Sequence, residues 1–277
     1  LQPMKPRPLL APALSWLALW FAAPLLMTVA ASFAQRGQPI VWSFSSDAWR
    51  SLLDPGVLKV LTRTLSMAAL TTLGTLAAGL PTAWLINRSS QRTGRTILAL
   101  VMLPLAANSL VLVYSWMSLL ARDGLAGRAL AALHLVPEGG QWLYSPAASL
   151  LGMIYYFLPF MVWPVVSALA RTDPRLIEAA ADLGAPPRAI LRHIILPLVT
   201  PGIAAGAILV FIQAVGTFII PDLLGGSKNL LAGTLISQRF VGQNHDWPGG
   251  AALSILVILL MLAGLALSLR LDRNSRA

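Results

Sequence analysis

The stretch AASLLGMIYYFLPFMVWPVVSALA, residues 147–170, contains no Asp, Glu, Lys, Arg or His. A helix needs about 20 apolar residues to cross a hydrocarbon core of roughly 30 Å, and this stretch is long enough. A helix is the natural spanning form because it satisfies its own backbone in lipid. Five further apolar stretches flank it, at about 9–34, 60–86, 97–121, 198–221 and 249–269. None alternates in the manner of a membrane β-barrel strand. The expected fold is therefore an all-α integral membrane protein with six transmembrane helices.

Composition points the same way. The 277 residues are 57% hydrophobic and 11% charged, whereas a soluble domain is about a quarter charged. A soluble globule cannot hide so much apolar surface, and a disordered chain needs low hydrophobicity. The chain has no cysteine, which excludes disulfides, thiolate zinc sites, iron–sulfur clusters and a Cys nucleophile. Its net charge of +10 is read as basic residues gathered in cytoplasmic loops rather than as a nucleic-acid footprint. The first stretch follows Lys5 and Arg7 and ends in small residues, as a secretory signal does. Its apolar run of about 25 residues exceeds the roughly 7–15 of a signal core, so it is expected to stay as a first span.

Orientation follows from the cations. With both termini cytoplasmic, the inner set is Lys5, Arg7, Arg88, Arg92, Arg95, Arg171, Arg175, Arg188, Arg192, Arg270, Arg273 and Arg276. These cluster at span ends, where the bias counts most. Trp16, Trp20, Trp42, Trp84, Trp142, Trp163 and Trp247 fall near expected span ends and read mostly as interfacial anchors. Only Arg63 lies inside a stretch, close to its start. Span centres without ionisable groups argue against a proton-driven carrier, a voltage sensor or a pore with a charged ring.

The longest inner segment lies between spans four and five. In Arg171–Gly184, Asp173 is an expected N-cap with Pro174 at the first helical position. Leu176, Ala179, Ala180 and Leu183 form one apolar stripe at helical spacing. Gly184 suits the left-handed position that ends a helix. Pro186 and Pro187 then open a second helix with Ile190, Leu191, Ile194 and Ile195 on its apolar face, Arg188 and Arg192 on its basic one. Pro197 is expected to break it at the membrane. The first helix reads either as an element that docks into another protein's groove or as a helical loop lying on the bilayer.

Glu178-Ala179-Ala180, Gly184, Ile194 and Leu196-Pro197 stand at the spacing of the EAA motif and resemble permease subunits of binding-protein-dependent (type I) ABC importers. The resemblance implies a cytoplasmic coupling helix at about 173–184 that fits a cleft on a separate ATPase. It assigns Glu178 to polar contacts, Ala179 and Ala180 to close fit, Gly184 to the turn, and Leu183, Ile194 and Pro197 to the same coupling region. Leu52-Leu53-Asp54-Pro55, Asn108-Ser109-Leu110, Leu158-Pro159-Phe160-Met161-Val162, Pro221-Asp222-Leu223-Leu224-Gly225-Gly226 and Asp246-Trp247-Pro248 resemble, more narrowly, the first permease of spermidine/putrescine importers. Leu112 and Thr217 stand where such relatives often carry an arginine and some carry an acid.

A polyamine path needs acceptors and π-faces that hold a polycation weakly enough to release it. Asn108, Ser109, Tyr114, Trp116, Gln213, Thr217 and Asp222 are the candidates. Packing or anchoring is the plainer account of Tyr114 and Trp116. Interhelical hydrogen bonding would equally explain Asn108 and Ser109, and a cap or loop charge Asp222. Asp246 reads equally as the N-cap of span six.

No phosphate-binding G-x-x-x-x-G-K-[ST] loop, H-E-x-x-H or G-x-S-x-G occurs. His134, His193 and His245 are scattered, and no metal site or resident cofactor is expected. ATP and Mg would be bound by the partner ATPase. The expected organisation is an N-terminal tail, first span and periplasmic segment at 1–57, an importer transmembrane domain at 58–270, and a cytoplasmic tail at 271–277. Implied partners are a second permease, an ATPase dimer and a periplasmic binding protein delivering substrate near 36–58, 122–145 and 223–247. The competing physical reading is a self-sufficient secondary transporter or channel; an intramembrane enzyme lacks a recognisable nucleophile pair.

Overall fold

The computed structural model describes residues 7–37, 42–133, 142–226, 229–242 and 245–274. Lys5, His134 and Arg276, with parts of the three expected docking loops, lie outside them. The described residues are helical, without a strand. In chain order the helices are α1 (Arg7–Ser32), α2 (Asp47–Arg50), α3 (Pro55–Arg88), α4 (Gln91–Ala106), α5 (Ser109–Leu120), α6 (Leu125–Ala132), α7 (Pro146–Leu169), α8 (Pro174–Asp182), α9 (Pro187–Ile190), α10 (Leu196–Gly216), α11 (Ile219–Gly225), α12 (Ala232–Val241) and α13 (Trp247–Asn274). A 3-10 turn (Ser51–Leu53) precedes α3, and a π-turn (Leu191–Ile195) joins α9 to α10. Contacts divide the chain into one unit of 1–59 with 235–259 and another of 60–234 with 260–277.

Of the six expected spans, five are unbroken helices among the described residues: those of α1, α3, α7, α9 through α10, and α13. The third is not one helix. The apolar stretch 97–121 is divided between α4 and α5, and the chain bends by 102° there. The cause is local. Ala107 is extended (φ −96°, ψ 150°), and Asn108 caps α5 by accepting from the Leu110 N–H at 2.9 Å. The expected fifth stretch, 198–221, runs past the end of its helix. α10 ends at Gly216, Thr217 is extended, and α11 begins at Ile219.

Pro197 does not break the helix, contrary to expectation. A proline ring clashes with the carbonyl four residues back, here that of His193. The π-turn over Leu191–Ile195 widens the spiral at that place, and the helix runs on from Pro187 to Gly216.

In the first unit, α1 exposes Trp16, Leu17, Trp20 and Phe21, as a lipid-facing helix must. Phe33 stacks between Phe44 and Trp49, at centroid distances of 5.5 and 5.8 Å. Arg36 Nε meets Asp246 Oδ1 at 3.0 Å, while the same oxygen caps α13 by accepting from the Gly249 N–H at 3.1 Å. Asp246 is therefore an N-cap and an ion-pair partner at once. Arg239 donates to the Gly249 carbonyl at 2.8 Å. Burial pushes its guanidinium below its ordinary pKa, and the charge of Asp246 opposes that shift.

The second unit is built on α7. Phe157, Met153, Met161, Val162 and Val165 are fully buried along it. Small residues let α10 approach closely. A Cβ on Gly206 would sit 2.9 Å from Met161 Sδ and 3.2 Å from its Cα, and one on Gly202 would sit 2.7 Å from the Pro164 carbonyl oxygen. Thr64 of α3 is buried and accepts from the Ala232 N–H at 2.8 Å, capping α12 across the unit. Gly206→Val should separate α7 from α10, at a cost of about 1–3 kcal/mol typical of overpacking. A lowered apparent melting temperature in detergent, larger than that of Gly206→Ala, is the check.

Candidate functional site

Two places concentrate the residues singled out from sequence, and both lie in the second unit. The first is α8. Asp173 Oδ1 accepts from the Arg175 N–H at 3.0 Å, and Pro174 follows it, as expected of a cap. The far end closes as a Schellman motif: the Ala185 N–H donates to the Ala180 carbonyl at 3.0 Å and the Gly184 N–H to the Ala181 carbonyl at 2.9 Å. Gly184 takes φ +79°, as its place in that motif requires.

The apolar stripe of α8 is uncovered. Leu176 is 50% exposed and Leu183 89%; Ala179 is exposed and Ala180 half-buried. Glu178 is exposed, and among the described residues no cation lies within ion-pair distance of it. Beyond the turn, Ile190 and Ile195 are buried, Ile194 is half-buried, and Arg188, Arg192 and Pro197 are exposed. The segment is thus anchored through its second helix and presents its first. Ala181 lies roughly 150° around α8 from the stripe, at 100° per residue. It lines a cavity of about 590 Å³ together with Leu80, Trp84 and Ile190.

The second place is a cavity of about 420 Å³ where α5, α7, α10 and α11 meet. Ser109, Gln213 and Thr217 line it, so three of the seven path candidates come together. Asn108 is spent on capping α5. Trp116 packs edge-on against Tyr155 at 5.4 Å, beside Leu112, in a small adjoining cleft that shares Tyr156 and Ile220 with the cavity. Tyr114 is 59% exposed and Asp222 is exposed in the first turn of α11; neither lines the cavity. Tyr156, Phe157 and Gly216 do line it and were not singled out. They sit within apolar runs, and only the packing of α7 on α10 turns them inward.

The break after Gly216 gives this cavity its electrostatics. The Thr217 N–H still bonds to the Gln213 carbonyl at 3.0 Å. Among the described residues, none donates to the carbonyls of Ala214, Val215 or Gly216. A helix C-terminus carries about half a negative charge on such groups. Among the described residues the cavity lining has no ionised side chain, so its polarity comes from the Gly216 end of α10, Gln213 and the hydroxyls of Ser109, Thr217 and Tyr156. No group of three or more His, Asp or Glu able to hold a metal stands together among the described residues.

The chain is a multi-pass helical protein with a broken helix beside a cavity and a capped, uncovered helix apart from it. Residues 71–277 match the family of binding-protein-dependent transport system inner membrane components, and the chain belongs to that family. It is an inner-membrane protein. It is 37% identical over 248 residues to the spermidine/putrescine transport system permease protein PotB of Escherichia coli K12, covering 89% of this chain and 90% of that one. It is also 37% identical over 234 residues to the inner membrane ABC transporter permease protein YdcU of the same strain, covering 80% and 74%. In fold it is similar to a chain of a bacterial alginate ABC transporter crystallised with its alginate pentasaccharide-bound periplasmic protein. That likeness has a TM-score of 0.79 at 18% identity and covers 97% of this chain and 93% of the other.

Proposed function

We propose that this chain is the transmembrane permease of an ATP-driven polyamine importer and performs no covalent chemistry itself. The observation that carries the reading is the uncovered apolar stripe of α8, closed by Gly184 and held to the membrane helices only from behind. α8 acts as the coupling helix: Leu176, Ala179, Ala180 and Leu183 seat in a cleft of a separate ATPase, and Glu178 makes polar contacts at its edge. ATP and Mg are bound by that ATPase. Closure of an ATPase dimer draws α8 and its counterpart on a second permease together and opens the path outward. Residues 58–270 form the translocation domain, both termini are cytoplasmic, and a periplasmic binding protein delivers solute to the outer loops. The identity to PotB supports a different second permease and the polyamine class.

The cavity at the end of α10 suits such a solute. Free carbonyls, an amide and the faces of Tyr156 and Phe157 attract an ammonium without trapping it, since no full counter-charge is present. The same lack of a carboxylate favours a second reading, an importer for another small organic solute such as an amino-acid derivative. Reconstitution of the full complex in proteoliposomes tests both. Uptake of labelled spermidine or putrescine that requires ATP and the binding protein is expected. Uptake of amino-acid derivatives alone would replace the substrate, and uptake without ATP would replace the mechanism by a secondary transporter.

A further inference from the structure

The cavity behind α8 is unlike the one at the end of α10. It lies between the C-terminal part of α3, from Leu80 to Arg88, and the segment from Ala181 to Ile195. Of its ten lining residues, Arg88 alone is charged. Its volume of about 590 Å³ is within the range of roughly 300–1,000 Å³ that small-molecule sites occupy. Pro81 and Leu191 line it and are exposed, so the space opens onto the apolar surface of the helices.

Arg88 Cζ lies 4.9 Å above the Trp84 ring. Stacking uses the face of a guanidinium and leaves its N–H edges free for two parallel bonds to a phosphate. Among the described residues no acid is within ion-pair distance of Arg88. The segment Asn87–Arg95 adds Arg92 and Arg95 and contains no Asp or Glu. Arg188 and Arg192 are exposed on the helix that supplies the opposite wall. A cavity with apolar walls and an arginine in its lining complements one chemistry: an acyl chain carrying an anionic headgroup. A soluble anion would leave the walls unfilled, and a polyamine would be repelled by Arg88.

We propose that this cavity binds one anionic phospholipid, with its phosphate on Arg88 and an acyl chain against Leu80, Pro81 and Leu191. The lipid lies against Ala181 and Ala185, on the face of α8 away from the stripe, and so props the coupling helix from behind. This site is independent of which solute is carried.

Native mass spectrometry of the assembled complex, delipidated and resupplied with phosphatidylglycerol or phosphatidylethanolamine, tests it. The complex should retain a single phosphatidylglycerol per chain at this site, with about a tenfold preference over phosphatidylethanolamine, which offers the same phosphate but adds an ammonium that Arg88 repels. Arg88→Gln should bring that preference close to unity, and Arg88→Lys should keep part of it. Leu191→Trp, which fills the cavity, should lower retention of both lipids. Equal retention of the two lipids by the wild-type complex overturns the proposal. So does an unchanged preference in Arg88→Gln, or a photo-crosslinker at position 191 that captures a protein subunit instead of lipid.

Discussion

Gly184→Val is expected to disconnect ATP hydrolysis from uptake while leaving the chain inserted in the membrane. Gly184 holds φ +79°, and a Cβ there meets no other atom within 4 Å. Crowding therefore cannot account for any defect; only backbone strain can. Left-handed backbone costs an L-residue about 1–2 kcal/mol, and a β-branched one more. The chain relieves that strain by abandoning the Schellman closure, which swings α8 relative to Pro186 and Pro187. In the proposed coupling role, a handle at the wrong angle would transmit the ATPase stroke poorly. Uptake in proteoliposomes should fall by about 5–30-fold, the equivalent of that strain, with the complex still assembled. Gly184→Asn should retain most of the uptake, because asparagine tolerates the left-handed region. Wild-type uptake by Gly184→Val would remove α8 from the coupling role.

Gln213→Lys should nearly abolish polyamine uptake. On the proposed path, the cavity at the end of α10 holds a cation through carbonyl dipoles, Gln213, three hydroxyls and the Tyr156 and Phe157 rings, with no counter-charge. A lysine ammonium placed about 4 Å from a bound ammonium opposes it by about 4 kcal/mol at an effective dielectric constant of about 20. That is about a thousandfold in occupancy. Gln213→Glu should act in the opposite direction, raising apparent affinity and slowing release. Uptake of labelled spermidine across a concentration series separates the two. Unaltered uptake by Gln213→Lys would place the path elsewhere in the chain.

The two sites differ in how far the sequence exposes them. α8 is local: Asp173, Pro174, the i, i+3, i+4 stripe and Gly184 act within a dozen residues, so cap, face and terminator are all readable in order. Its neighbour was misread for a reason of the same scale. Pro197 is a breaker in an α-helix, but a π-turn upstream removes the clash, and no pattern in Leu191–Ile195 announces that turn. The third span was misread because apolar content alone does not register a capping dipeptide. Asn108-Ser109 stood in view as path candidates, yet Asn108 serves to start α5.

The cavity at the end of α10 is a tertiary product. Ser109 belongs to α5, Gln213 to α10 and Thr217 to the break after it, and Tyr156 and Phe157 to a run that reads as ordinary membrane helix. Their convergence depends on the close approach of α7 and α10 at Gly202 and Gly206. Tyr114, Trp116 and Asp222 have equally suitable chemistry and point elsewhere. Arg36 and Asp246 are likewise 210 positions apart, and only folding makes them one ion pair.

The membrane-spanning helical class and the capped helix α8 were determined by the sequence itself, because hydrophobic runs, caps and turns are set by neighbours along the chain. Which polar groups share a cavity, which helices break and which cation faces an apolar hollow were decided only in three dimensions. Those outcomes depend on how closely two backbones approach and on which carbonyls lose their partners, and neither is encoded in any one segment.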